Sequence, residues 1–256
     1  FALKYDQHLF NLDLGFQHLP YQGFPNQRMD MTSNKSQQIS AGYKGDFDKL
    51  LVTARVYREK TRHAMDFGDD KLFWYGPNNI PGSDGSPGPI SGGMNGYAAG
   101  MPMDTRGENT GATLAVDYQL DQHSLLRTGI EVQLYRLDDW WQPSGKGMWP
   151  NTFWNIRNGE RDRYAIYGEW QNQWSDKLTS LIGMRYEQVH MDTDDVQGYN
   201  AMYAADAAAF NANKKRLTDD NIDASMQLSY AVSSNHSIDV GLARKTRSPN
   251  LYERFA

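Results

Sequence analysis

The sequence predicts an all-β protein, a transmembrane antiparallel β-barrel, and three observations predict it. Runs of alternating apolar and polar residues recur along the whole chain, as in Val52, Ala54, Val56 set against Thr53, Arg55, Tyr57. They are joined alternately by turns of a few residues and by long polar segments. Aromatic residues reach 12%, with 15 Tyr and 7 Trp. In a strand, side chains at i and i+2 share a face, so one face suits lipid and the other a wet interior. Short turns at one end and long loops at the other are how outer-membrane barrels are built, with aromatic girdles at both interfaces.

The elements follow in chain order. A first hairpin turns at Asp6-Gln7. The second carries Ile39, Ala41 and Tyr43 into a turn at Gly45-Asp46-Phe47-Asp48 and leaves through Val52, Ala54 and Val56. The third runs through Leu114, Val116, Tyr118 and Leu120, turns at Asp121-Gln122-His123, and returns through Ile130, Val132 and Leu134. In the fourth, Tyr164, Ile166 and Trp170 precede Ser175-Asp176-Lys177, with Ile182, Met184 and Tyr186 beyond. The fifth places Ile222, Ala224, Met226, Leu228 and Tyr230 before Ser233-Ser234-Asn235, and Ile238, Val240 and Leu242 after it. Five hairpins make about ten strands.

Between the hairpins the sequence places long loops at approximately 66–110, 138–160 and 189–219. The first holds 10 of the 23 glycines and 5 of the 10 prolines, a composition incompatible with regular structure. The second carries Trp140, Trp141, Trp149 and Trp154, and the third contains a helix-compatible patch, Ala204–Phe210. Loops of this length are usually functional or disordered, and on a barrel they mark the extracellular side.

Composition excludes several rivals. Mean hydropathy is −0.73 and no apolar run approaches the roughly 18 residues of a membrane helix. A formal charge of −5 argues against a nucleic-acid partner. A soluble β-sandwich shares the alternation but does not need such unequal loops. No Gly-x-Ser-x-Gly, Gly-x-Gly-x-x-Gly at a strand-to-helix junction or His-Glu-x-x-His is present, so an enzyme is not expected.

The most pointed chemistry is His63-Ala64-Met65. Both outer residues share the interior face, roughly 6.5 Å apart along the strand. A strand crosses in about 9 to 11 residues, so this pair, well past the turn at Asp48, stands at the outer mouth. Imidazole and thioether form a soft to borderline ligand pair suited to copper. The plainer reading is a hydrogen-bonded rim histidine beside a packing methionine. Met29, Met31, Met94, Met101 and Met103 lie in the adjoining loops, either as gap fillers or as a soft-ligand vestibule. The Trp-rich loop is either packing or a stacking surface.

The stretch Arg244-Lys-Thr-Arg-Ser-Pro-Asn-Leu-Tyr-Glu-Arg254-Phe resembles the late-barrel segment of TonB-dependent outer-membrane receptors, in which Arg-x-Pro-x-Leu-x-Glu leads into a loop. Arg28-Met-Asp-Met-Thr-x-Asn-Lys35, Arg62-His-Ala-Met-Asp-Phe-Gly-Asp-Asp-Lys71 and Gly100-Met-Pro-Met-Asp-Thr105 resemble the OprC/NosA-type copper receptors. The resemblance spans residues 1–256. It implies a barrel of about 22 strands around an N-terminal plug, a bacterial outer-membrane location, and import of copper ion driven by the TonB-ExbB-ExbD complex acting through the plug. It also implies that His63 and Met65 are the His-x-Met half of a copper site whose other half is a Cys-x-x-x-Met in the plug. This chain has no Cys, opens within a strand-like run and ends abruptly; it reads as an internal barrel fragment without the plug. Two alternatives stay open: a receptor for a metal chelate such as a siderophore, and a passive porin-like barrel.

Overall fold

The computed structural model describes residues 1–25, 29–66, 103–142, 151–198 and 201–256. Met94 and Met101 lie outside them. Ten strands form one antiparallel sheet in strict chain order: β1 (Ala2–Tyr5), β2 (His8–Leu19), β3 (Asp30–Phe47), β4 (Leu50–Asp66), β5 (Met103–Gln119), β6 (Ser124–Trp141), β7 (Phe153–Ser175), β8 (Leu178–Asp192), β9 (Leu217–Ser233) and β10 (His236–Arg244). β1 and β10 are the two sheet edges. Two helices, α1 (Ala201–Asn211) and α2 (Leu251–Phe255), complete it. No helix among the described residues is long and apolar enough to cross a membrane.

Each hairpin turn lies at the same end of the sheet. Asp6 and Asp48, at φ 51° and 52°, take the left-handed conformation that tight turns require and that Asp tolerates better than most residues. The β3–β4 turn sits at Asp48-Lys49, later than the alternation placed it, because Asp46 and Phe47 still pair with Leu51 and Leu50. The strands also run further at the opposite end than the loop ranges allowed. Residues 103–110 belong to β5, 138–141 to β6 and 153–160 to β7; the β4–β5 and β5–β6 ladders run unbroken, and the β6–β7 ladder continues through two register shifts, at Leu137/Asp139 and Asp139/Trp140. Ladder pairing satisfies the backbone wherever a neighbour continues, so strands outlast the apolar alternation. Trp140, Trp141 and Trp154 are accordingly strand residues. The Ala-rich patch forms α1, which extends beyond it on both sides.

The register sorts the sheet into two faces. One carries Leu12, Ala41, Val56, Ala112, Val132 and Tyr164 in a single cross-strand row, with further apolar rows beneath. Its exposed members include Leu14, Ile130, Ile166, Met184 and Leu242. The other face carries ion pairs. Arg185 reaches Glu131 at 2.8 Å and Glu187 at 3.2 Å, and Arg127 reaches Glu169 at 2.7 Å. The upper margin of the apolar face steps through the register: Ile39 faces Arg58, Leu134 faces Asp162, and Tyr164 faces Gln188. A level apolar band crosses rungs in this way when strands tilt by about 35–45°, as closure into a barrel requires.

The buried core lies on the polar face, near the long-loop end, where Leu137, Ile156, Val189 and Met191 receive Leu251 and Phe255 of α2. Ile156 reaches this cluster through a β7 irregularity in which Asn158 takes φ 47° and its backbone N–H donates to Asp138.

Candidate metal-binding mouth

β4 places His63 and Met65 on the polar face, and register then shows what surrounds them. Met65 pairs directly with Met31 of β3 and with Met103 of β5, whose own next partner is Trp141. One rung inward, His63 pairs with Asn34 and Thr105, and Thr105 pairs with Asp139. Cross-strand partners have Cβ atoms about 4.5–5.5 Å apart and side chains on one face. Three thioethers therefore share a rung beside a rung that holds one imidazole. The irregularity between Met31 and Ser33 is what aligns Met31 with Met65, since a regular strand would turn it to the other face.

Met31 is buried, and its N–H and carbonyl pair with Gln22 at 3.0 and 2.9 Å. Met29 lies just before β3, outside the rung. Among the described residues no group of three or more His, Asp and Glu is placed to hold a metal. Thioether and imidazole are groups of the kind that suit a soft cation better than magnesium or calcium.

Two buried oxygens lie on the rung of His63, Asn34 directly beside it and Asp139 one strand further on, beyond Thr105. Asn34 Oδ1 and Asp139 Oδ1 have no hydrogen-bond partner among the described residues, and an unmet buried acceptor costs about 1–3 kcal/mol. Asp139 is 2% exposed, and Tyr252, Asn155 and Thr105 bring donors to its carboxyl group. Sequence reasoning missed Asn34, Thr105, Asp139 and Tyr252. The available signal was their alignment with His63 on neighbouring strands, readable only once the register is known.

Tyr252 arrives from the segment after β10, which crosses the polar face and is fixed at each step. Thr246 donates to Asp223 from its N–H (2.7 Å) and hydroxyl (2.8 Å), and Asn221 donates to Ser248 at 2.8 Å. Arg161 donates to the Pro249 carbonyl at 3.1 Å, and Arg254 pairs with Asp219. Asn250 and Glu253 form a reciprocal capping box at the start of α2, while Arg247 grips Glu253 through two bonds, 2.7 and 3.1 Å. The Arg-x-Pro-x-Leu-x-Glu residues are therefore the parts of a bracket. Leu251 is its buried peg and Tyr252 its contact with the mouth. Burial and the Asp139 carboxylate push the Tyr252 hydroxyl above the ordinary phenol range.

Arg247 and the Asn250 N–H hold Glu253 down to about 2, from an ordinary value of 4.5. A depressed carboxylate stabilises the fold above its unfolded pKa and loses that contribution as pH falls through the folded value. The bracket is thus expected to hold at pH 4.5 and to loosen toward pH 2. A carboxyl NMR titration with its midpoint for Glu253 near 4.5 would contradict this.

A family model described as "TonB dependent receptor-like, beta-barrel" matches residues 2–256. No curated protein matches the sequence. Among solved structures, the chain is similar to one titled "Copper transporter OprC", with TM-score 0.70 and 16% identity over 98% of this chain and 36% of that one. It thus spans about a third of that transporter's length, and the likeness at this identity is one of fold. The Ralstonia pickettii toluene transporter TbuX aligns with TM-score 0.33 and 12% identity, over 96% of this chain and 75% of that one.

Proposed function

Because this chain belongs to the TonB-dependent receptor-like β-barrel family, we propose that it is the part of an outer-membrane receptor that captures copper at the extracellular mouth for TonB-driven import. One observation carries the reading: Met31, Met65 and Met103 share a rung on the polar face, with His63 on the next. His63 supplies a neutral imidazole nitrogen, and the thioethers supply soft, uncharged sulfur that favours cuprous ion. A metal-bound histidine usually donates its other ring N–H to an oxygen that fixes its orientation. Asn34 supplies such an oxygen directly beside His63.

The proposal extends to the plug that the family resemblance implies, which completes the ligand set, and to the TonB-ExbB-ExbD complex, which displaces it. Met29, Met94 and Met101 then belong to the approach. No bond is made or broken in the cargo; the protein holds it and lets it pass. The test is the copper content of the full-length receptor purified from copper-supplemented cells. Near-stoichiometric copper supports the reading, and absence of copper moves the weight to a chelate receptor or a passive barrel.

Placement of the apolar face in lipid is tested separately. Ile130 is 49% exposed on a row with Leu114 and Ile166. Ile130→Arg is expected to cost about 2–4 kcal/mol of folding free energy in bilayers, the penalty for a cation on a lipid-facing midplane position. Urea titration in vesicles showing no change would count against lipid contact there.

A further inference from the structure

Inward of the mouth, the polar face of β4 carries one carboxylate, Glu59, which stands four residues before His63 and so roughly 13 Å down the strand. Its rung holds Gln38 of β3 on one side, and Asn109 of β5 and then Tyr135 of β6 on the other. Glu59 is half-buried. Among the described residues, no Lys, Arg or His lies within ion-pair distance of its carboxylate and no hydrogen bond reaches it. Further round the same wall the carboxylates are matched: Glu131 and Glu187 share Arg163 and Arg185, and Glu169 takes Arg127. An anion drawn out of water without a partner is costly, and an opposite charge offsets that cost.

The surroundings explain why no side chain supplies that charge. Arg55, the next cation inward on the same face of β4, lies over the Tyr57 ring, 5.3 Å from its centroid. Tyr57 in turn lies across Gly111, filling the place of a side chain there. On β3–β5 the rung between Glu59 and His63 is built from small residues, Ser36, Thr61 and Gly107. The Tyr135 hydroxyl leans toward that rung, 3.4 Å from where a Cβ on Gly107 would stand. Only small side chains and hydroxyl groups therefore separate the histidine from the carboxylate on these strands. Asn109 accepts an amide N–H from Gln133 at 3.0 Å and keeps a second lone pair.

We propose that Glu59, with the oxygens of Gln38, Asn109 and Tyr135 around it, is a second cation site, which receives the metal ion once it leaves the mouth. Carboxylate and carbonyl oxygens are hard donors, in contrast to the thioethers above them. A single unpaired negative charge in a cleft concentrates small cations and repels anionic complexes, so what passes Glu59 is the ion itself, freed of any anionic carrier. The inference rests on the copper reading for the identity of the cargo; the cation site does not.

The test uses crystals of the full-length receptor soaked in a copper(II) salt and mapped by anomalous scattering at the copper edge. Wild type is set beside Glu59→Gln, Glu59→Asp and His63→Ala/Met65→Ala. Copper is expected on Glu59 in the wild type, in the charge-keeping Glu59→Asp and in the mouth variant, and is expected to be lost in Glu59→Gln. Neutralising a unit charge at coordination distance should weaken the site about tenfold or more. Uptake of radioactive copper(II) by cells should slow by a similar factor in Glu59→Gln while the mouth stays occupied. Copper at the mouth alone in the wild type, a peak at residue 59 that persists in Glu59→Gln, or a Lys or Arg side chain seated on Glu59 overturns the proposal. Uptake by Glu59→Gln at the wild-type rate also overturns it. Copper on Glu59 with none at His63 and Met65 overturns the mouth reading instead and leaves this site standing.

Discussion

Full-length receptor carrying His63→Ala and Met65→Ala is expected to purify from copper-supplemented cells with its copper lost and its barrel intact. Both side chains stand on the polar face of β4, on a strand paired along its whole length on both sides, so truncating them removes ligands without opening the ladder. Removing even an outer-shell partner typically costs a metal site about 10–100-fold in affinity. Loss of an imidazole and a thioether together should exceed a hundredfold. A companion variant, Met31→Leu/Met103→Leu, removes two sulfurs while conserving volume, a change that usually costs under about 1.5 kcal/mol of stability. Affinity that falls in this variant at unchanged thermal stability identifies the thioethers as ligands. Copper content equal to wild type in both variants would sink the mouth as a metal site.

Leu251→Ala is expected to release the bracket while leaving the sheet in place. Leu251 is 1% exposed among Leu137, Ile156, Val189, Met191 and Phe255, and such a truncation costs about 2–5 kcal/mol. α2 has five residues, far too few to persist as a helix without its docking contact. The loss therefore falls on the segment after β10, and Tyr252 leaves Asp139. Hydrogen exchange should show protection lost across 245–256 and retained in β5–β8. Equal protection in the variant would mean that the polar anchors at Asp219, Asn221 and Asp223 hold the segment unaided.

The sequence was legible where period-two alternation meets a tight turn. Val52, Ala54, Val56 and Ile130, Val132, Leu134 announce a face by spacing alone, and Asp121, Ser175 and Ser234 announce its ends. Residues 103–110 and 153–160 were illegible as strands. Beyond the apolar margin the outward positions turn polar, as at Arg106, Glu108 and Glu160, and the alternation vanishes while hydrogen bonding continues. The Trp residues misled for the same reason: Trp140 and Trp154, with ring centroids 5.4 Å apart, pair across two strands although their surroundings in sequence read as loop.

For the mouth, His63 and Met65 were legible because they are neighbours in the chain, two residues apart on one face. The gathering of Met31, Met103, Asn34 and Asp139 around them was not. These residues lie on three other strands, and a register slip of one residue would have turned each of them to the opposite face. By itself, then, the sequence determined the strands, their two faces and the placing of His63 and Met65 together on one of them, because those follow from local spacing. Which methionines share a rung, which oxygens share the rung of the histidine, and that the segment 245–256 folds back to bury Leu251 and present Tyr252 were decided by tertiary structure. Pairing register, the bulge at Met31/Ser33 and core packing all act between residues far apart in the chain.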